Sequence, residues 1–193
     1  MEVRPEFTMQ LRKEFFQDEP RITRAEFENP DYLSLAMLNT LQETRDVIAR
    51  PMYFTNLVLG GEASPRHPHG DAVPPTATSH AGFSLHKWGI DHSASKEKDQ
   101  IIENDSTYGK ALDWDCNTHS LDELFEVYLL LAQKTEWTGI GVYPFWLNKG
   151  FHTDMRDSEH PSFNAHWFRV KDGSYHSLTW NNWKREVING SRL

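Results

Sequence analysis

Gly150-Phe151-His152-Thr153-Asp154-Met155-Arg156, introduced by Thr138-Gly139-Ile140-Gly141-Val142-Tyr143-Pro144, decides how this chain is read. Ile140 to Tyr143 is a β-rich run bounded by glycine and proline, which predicts a strand, and the run from Gly150 predicts the next one. Residues two apart on a strand share a face, so His152 and Asp154 address one ion or one water. An imidazole and a carboxylate at this spacing also occur by chance, so the surrounding elements must carry the weight.

Downstream, His166 to Val170 reads as another strand, turned by Lys171-Asp172-Gly173 into Tyr175 to Leu178 as a hairpin partner. Upstream, Ser120 opens a capping box with Glu123 and launches a helix through Lys134, with Leu121, Leu124, Phe125, Tyr128, Leu131 and Ala132 on one stripe. Before it, Tyr108 to Cys116 alternates well enough for a strand carrying Ala111, Asp113 and Asp115 on one face, an unexpected place for carboxylates in a core. A first helix is predicted from Asp31 to Ala49 on Leu33, Met37, Leu38, Leu41 and Ile48. Pro51 stops it, and Met52 to Leu59 predicts a core strand ended by Gly60-Gly61. Residues 1–30 read as an arm with one short helix, 31–178 as the domain, and 179–193 as a tail packing through Trp180 and Trp183. The order of elements predicts an α+β fold: a small, mostly antiparallel sheet packed against two main helices.

A chain of 193 residues suffices for one domain with a real core. Its formal charge of -8 argues against a nucleic-acid or anionic-membrane partner, because phosphate binding needs a basic face. No stretch approaches about 18 consecutive apolar residues, and Met1 to Pro5 opens no signal-peptide run. The expectation is a protein made without a signal peptide, resident in the cytoplasm of the producing cell or in a phage virion. Cys116 is the sole cysteine, which rules out an internal disulfide and predicts a small packed hydrophobe. Seven tryptophans and eleven phenylalanines suit an aromatic core, and equally a groove that grips sugar or peptide. From Glu62 to Asp105 the sequence turns irregular and holds His67, His69, His80, His86 and His92; a loop this long in a small domain points to function. Lys96 to Asp99 within it reads as a solvated turn.

Asp113 on one strand, His152 and Asp154 on a later one, and a histidine-laden loop before both suggest a zinc site with three protein ligands. At this point a resemblance enters. Gly109-Lys110-Ala111-Leu112-Asp113, the helix from Leu121, Gly139 to Pro144, Phe151 to Arg156 and His166-Trp167 resemble, in order and spacing, the D-alanyl-D-alanine carboxypeptidase-like zinc peptidases, which include phage endolysins. The resemblance covers roughly 31–170. It implies a Hedgehog/DD-peptidase-like fold, a Zn2+ cofactor, and hydrolysis of a peptide bond in a peptidoglycan stem peptide, with other phage particle proteins as further partners.

The family pattern S-x-H-x-x-G-x-A-x-D places Ser106 where the first ligand histidine belongs. Ser84-Leu85-His86 is the best upstream S-x-H, so His86 is favoured as first ligand, with His92, His80 or no histidine as alternatives. By resemblance Asp113 is the second metal ligand and His152 the third. Asp154 is an outer-shell or base carboxylate, and Arg156 either clamps a substrate carboxylate or pairs with Asp154. Asp115 is expected in solvent, with an orienting bond to a ligand histidine as the alternative; His119, His160, His166 and His176 are expected at the surface or in packing, and Trp88 and Trp146 in a groove or in the core. The rival reading is a catalytically inactive phage structural or wall-binding protein that keeps this fold.

Overall fold

The computed structural model describes residues 27, 33–54, 58–59, 62–63, 85, 109–116, 118, 120–146, 149–158 and 160–190. Helix α1 spans Leu35–Ile48. Ser34 starts it by accepting a hydrogen bond from the Met37 amide, and Ala49 ends it in the left-handed region at φ 52°. The helix therefore begins later than Asp31: Leu33 is held instead in a parallel bridge to Gly109. The predicted strand Met52 to Leu59 is also not continuous. Tyr53 bridges Asp115, and Val58–Leu59 (β1) turns back at once onto Glu62–Ala63 (β2) as a separate two-residue hairpin.

Strand β3, Ala111–Asp115, leads into α2, Leu121–Leu131. Ser120 accepts from the Glu123 amide at 3.0 Å, and Asp122 and Glu123 sit in the first turn where the helix dipole favours negative charge. Helix α2 stops at Leu131, three residues short of Lys134, because the chain closes there in turns that lead to Trp137. Strands β4 (Gly139–Tyr143), β5 (Gly150–Asp154), β6 (Ala165–Arg169) and β7 (Tyr175–Ser177) follow. The sheet order is β3-β5-β4-β6-β7, and β4–β6 is its single parallel pair. The class is α+β with a mostly antiparallel sheet, as its period-2 and period-3.6 segments predict.

Alternation divides the sheet into two unlike faces. Leu112, Trp114, Phe151, Thr153, Ile140, Val142 and Phe168 are fully buried, and all but Thr153 belong to the core cluster with α1 and α2. Trp114 and Phe151 pair across β3 and β5 with ring centroids 4.7 Å apart, and the Trp114 indole donates to Thr153 at 3.1 Å, so the one polar group of this ring is satisfied. Trp137 does the same for the helix layer, donating to Thr44 of α1 at 2.7 Å. Cys116 is buried as expected, and burial pushes its thiol up to about 12, which leaves it protonated and inert.

The last segment is not a loose appendage. Thr179 caps a short helix α3, Trp180–Trp183, which continues into a π-helical turn over Lys184–Asn189. Trp183 and Val187 are fully buried, and Trp183 packs against Phe125 and Phe168. Trp180 remains half exposed with its ring against Phe125. At the other end, Phe27 is buried and stacks on Phe54 at 4.9 Å; the rest of the arm, 1–26 and 28–30, lies outside the described residues. Among the described residues no helix is long and apolar enough to cross a membrane.

Because Trp183 joins α2 to the sheet, Trp183→Ala is expected to destabilise the fold by about 3–5 kcal/mol. Tyr175→Ala, at an exposed ring, is expected to change it by about 0.5 kcal/mol or less. Urea titration of the two variants checks the contrast.

Candidate metal centre

The second face of the sheet carries polar and small residues where the first carries the core. Register places Asp113, His152, Gly141 and Trp167 in one row across β3, β5, β4 and β6, and Ala111, Asp154, Gly139 and Ala165 in the next. The two glycines explain how large groups lie flat on this face. A Cβ on Gly139 would run into the Asp154 carboxylate, and one on Gly141 would stand 2.7 Å from the Trp167 indole.

His152 stands between two carboxylates. Its Nδ1 lies 2.9 Å from Asp113 Oδ1 and its Nε2 lies 2.9 Å from Asp154 Oδ2. Asp154 in turn accepts from Arg156, Nε to Oδ1 at 2.9 Å and Nη2 to Oδ2 at 2.8 Å, a bidentate pair. The remaining amino group of Arg156 donates to the Ser162 carbonyl at 3.2 Å, and the guanidinium lies 4.8 Å over the Trp167 ring. Thr138 fixes the backbone beneath: its hydroxyl donates to the Arg156 carbonyl and accepts from the Arg156 amide. Of the two readings of Arg156, the pairing with Asp154 is the one present.

Burial is nearly complete, with 14% of the His152 side chain, 4% of Asp113 and 1% of Asp154 exposed. Burial works against a charge on His152, yet hydrogen bonds to Asp113 and Asp154 outweigh it and raise its pKa to about 9. For Asp154, burial raises the carboxyl while His152 and Arg156 hold it below the ordinary carboxylate range. Two buried anions and two cations thus alternate along Asp113, His152, Asp154 and Arg156.

Asp113 and His152 are the two residues of this series whose facing atoms could be donors to a metal. A metal-binding histidine ordinarily donates its other ring N–H to a carboxylate, as Nε2 does here to Asp154; Nδ1 would become a ligand atom on giving up the proton it directs at Asp113. Asp113 Oδ1 and His152 Nδ1, 2.9 Å apart, are somewhat closer than the about 3.3 Å that separates two ligands at about 2.0–2.1 Å on one tetrahedral ion. Among the described residues no group of three or more His, Cys, Asp or Glu is arranged to hold a metal, so the pair needs a partner from elsewhere in the chain. His86, His92 and His80 all lie outside the described residues. Leu85, the sequence neighbour of His86, accepts from the Lys110 amide at 2.7 Å, one residue before β3.

The other candidates fall away from the pair. Asp115 is buried to 1% and not solvated as expected, because its backbone is hydrogen bonded both ways to Tyr53 at the rim of the sheet. His166 belongs to packing: its Nδ1 lies 3.0 Å from the Tyr128 hydroxyl, and burial lowers its pKa. His160 and His176 hydrogen bond locally, to Ser162 and Ser174. His67, His69, His119 and Trp88 lie outside the described residues. Trp146 stacks on Tyr143 at 3.9 Å, and Tyr143 is in contact with Trp167, so an aromatic strip borders the site. Sequence reading passed over Trp167, Thr138 and Tyr143. The signal for Trp167 was the alternation Gly139-x-Gly141, which clears one face of a strand for bulky neighbours.

The linkage signs follow from these shifts. His152, raised in the folded state, adds stability in full below its unfolded value of 6.5, and this is lost as pH rises through about 9. Asp154, lowered when folded, adds stability above its ordinary value that is lost as pH falls through its folded one. Chelator-treated protein is therefore expected to lose on the order of a few kcal/mol between pH 6 and pH 10 in urea titrations. His152→Gln should lack that decline, and parallel pH profiles for the two proteins would contradict the assignment. Compared with known protein families, with curated proteins and with solved structures, the chain has no match in any of the three.

Proposed function

We propose that the chain is a zinc-dependent peptidase that hydrolyses a peptide bond in the stem peptides of bacterial cell-wall peptidoglycan, of the endolysin or virion-associated type. The observation that carries this reading is the buried series Asp113, His152, Asp154 and Arg156 on one sheet face. Such a series is expensive to bury, and apolar residues of similar volume would serve stability as well or better. Its members also stand in the order in which the resemblance to D-alanyl-D-alanine carboxypeptidase-like peptidases places second ligand, third ligand and outer carboxylate.

In this reading Asp113 and His152 hold the metal together with a loop histidine, His86 first and His92 or His80 as alternates. Zinc, when bound, supplies a Lewis acid that polarises a peptide carbonyl. Asp154 fixes the His152 tautomer by accepting from Nε2. Both Asp154 oxygens are already engaged by Arg156, which favours an orienting role over one as proton acceptor. Arg156 neutralises Asp154 and anchors it to the backbone after β5, while Trp167 shields the pair from water on the β6 side. Cytoplasmic synthesis with release to the wall, or residence in a phage particle beside other particle proteins, suits such an enzyme.

One observation favours the second reading, an inactive phage structural or wall-binding protein of the same fold. Both His152 ring nitrogens face carboxylates, so the series also stands as an ion-pair chain in its own right.

Metal analysis separates the two. The peptidase reading expects about one zinc per chain after reconstitution, and release of peptides from purified sacculi. His152→Ala and Asp113→Asn are each expected to lower zinc affinity by tenfold or more and to remove cleavage. Absence of stoichiometric zinc together with intact sacculi would leave the second reading.

A further inference from the structure

The face that carries the metal pair does not end at Trp167. One row on, alternation brings Tyr143 of β4, Arg169 of β6 and Tyr175 of β7 to the same side, with Arg169 directly opposite Tyr175. This end of the face is open: Arg169 is exposed and Tyr175 is 59% exposed, whereas Asp113 and Asp154 are buried. The face is thus acidic and closed at β3 and β5, and aromatic and cationic at β6 and β7.

The two arginines of this face differ in what they have left to give. Arg156 spends its guanidinium on Asp154 and the Ser162 carbonyl. Among the described residues Arg169 donates only Nε, to the Gly173 carbonyl at 3.4 Å, and its guanidinium lies 5.7 Å from the Tyr175 ring centroid. Both contacts leave its two terminal amino groups without a hydrogen-bond partner among the described residues. Gly173 leaves room for it, since a Cβ there would stand 3.3 Å from Arg169 Nη2. A guanidinium fork that presents its terminal amino groups beside an aromatic ring matches a carboxylate.

We propose that Arg169, with Tyr175 beside it, is an anion subsite that binds a substrate carboxylate at a fixed distance from the Asp113–His152 pair. Arg169 lies two strands over and two residues along from His152, a Cα separation on the order of 12 Å. An extended peptide spans that distance in about two to four residues. The subsite therefore selects peptides with a free carboxylate about two to four residues from the bond that reacts. The choice of a peptide ligand rests on the peptidase reading above.

The test uses the full chain and two probes: a peptidoglycan stem peptide with free carboxylates, and the same peptide with those carboxylates amidated. Binding is followed by tryptophan fluorescence on chelator-treated protein, and hydrolysis on zinc-loaded protein. Amidation is expected to weaken binding about tenfold and to raise KM by a similar factor with kcat changed less than about twofold. Arg169→Gln is expected to bind the free peptide as weakly as the amidated one and to stop distinguishing them, and Arg169→Lys to regain part of the difference. The amidated peptide on the unaltered chain tests the same claim should the variants fail to fold. Equal binding of the two peptides, or binding of neither, overturns the inference. Cleavage of both at equal KM overturns it while the peptidase reading stands, and discrimination in binding without any cleavage removes the peptidase reading while leaving the subsite.

Discussion

The position of His152 between two carboxylates is the constraint on which the rest of this face depends. An imidazole with anions on both sides is held charged, and its burial is tolerable only because Arg156 supplies a second cation to balance Asp113 and Asp154. Removing any one member leaves an uncompensated buried charge, at a cost of about 3–5 kcal/mol. The local backbone serves this balance. Gly139 clears space for the Asp154 carboxylate, Gly141 lets Trp167 lie against the sheet, and Thr138 fastens the chain at Arg156.

The opposite face of the same strands shows why such a site is possible in a small domain. Trp114, Phe151 and Phe168 fill the space under α1 and α2 with few residues of large area, and the indoles of Trp114 and Trp137 find hydroxyl partners. Trp183 closes the end of this layer, although its indole N–H has no partner among the described residues. Strong aromatic packing on one face offsets the cost of buried charge on the other.

Much of this arrangement was legible in the sequence. The capping box of Ser120 with Glu123 marks the start of α2, and alternation puts Asp113 on the polar face of β3 and His152 with Asp154 on that of β5; the start of α1 at Ser34, by contrast, reads as Asp31 in the sequence. Asp113 and His152, which the resemblance makes second and third ligand, stand opposite each other in the strand register. What was not legible depends on contacts between distant segments. Asp115 reads as a solvated carboxylate until Tyr53 is seen to pair with its backbone, and Met52 to Leu59 reads as one strand although, among its described residues, only Tyr53 finds a partner in β3. The pairing of Arg156 with Asp154 is a matter of side-chain geometry that spacing alone leaves open.

The claim at the centre of this account is that Asp113 and His152 form one edge of a metal site with Asp154 behind it. A crystal structure of the protein grown with zinc tests it most directly. The account predicts a single ion bonded to Asp113 and to His152 Nδ1, with Nε2 still donating to Asp154. A structure in which zinc binds elsewhere, or in which His152 stays within hydrogen-bonding distance of both carboxylates with no ion beside it, would contradict it.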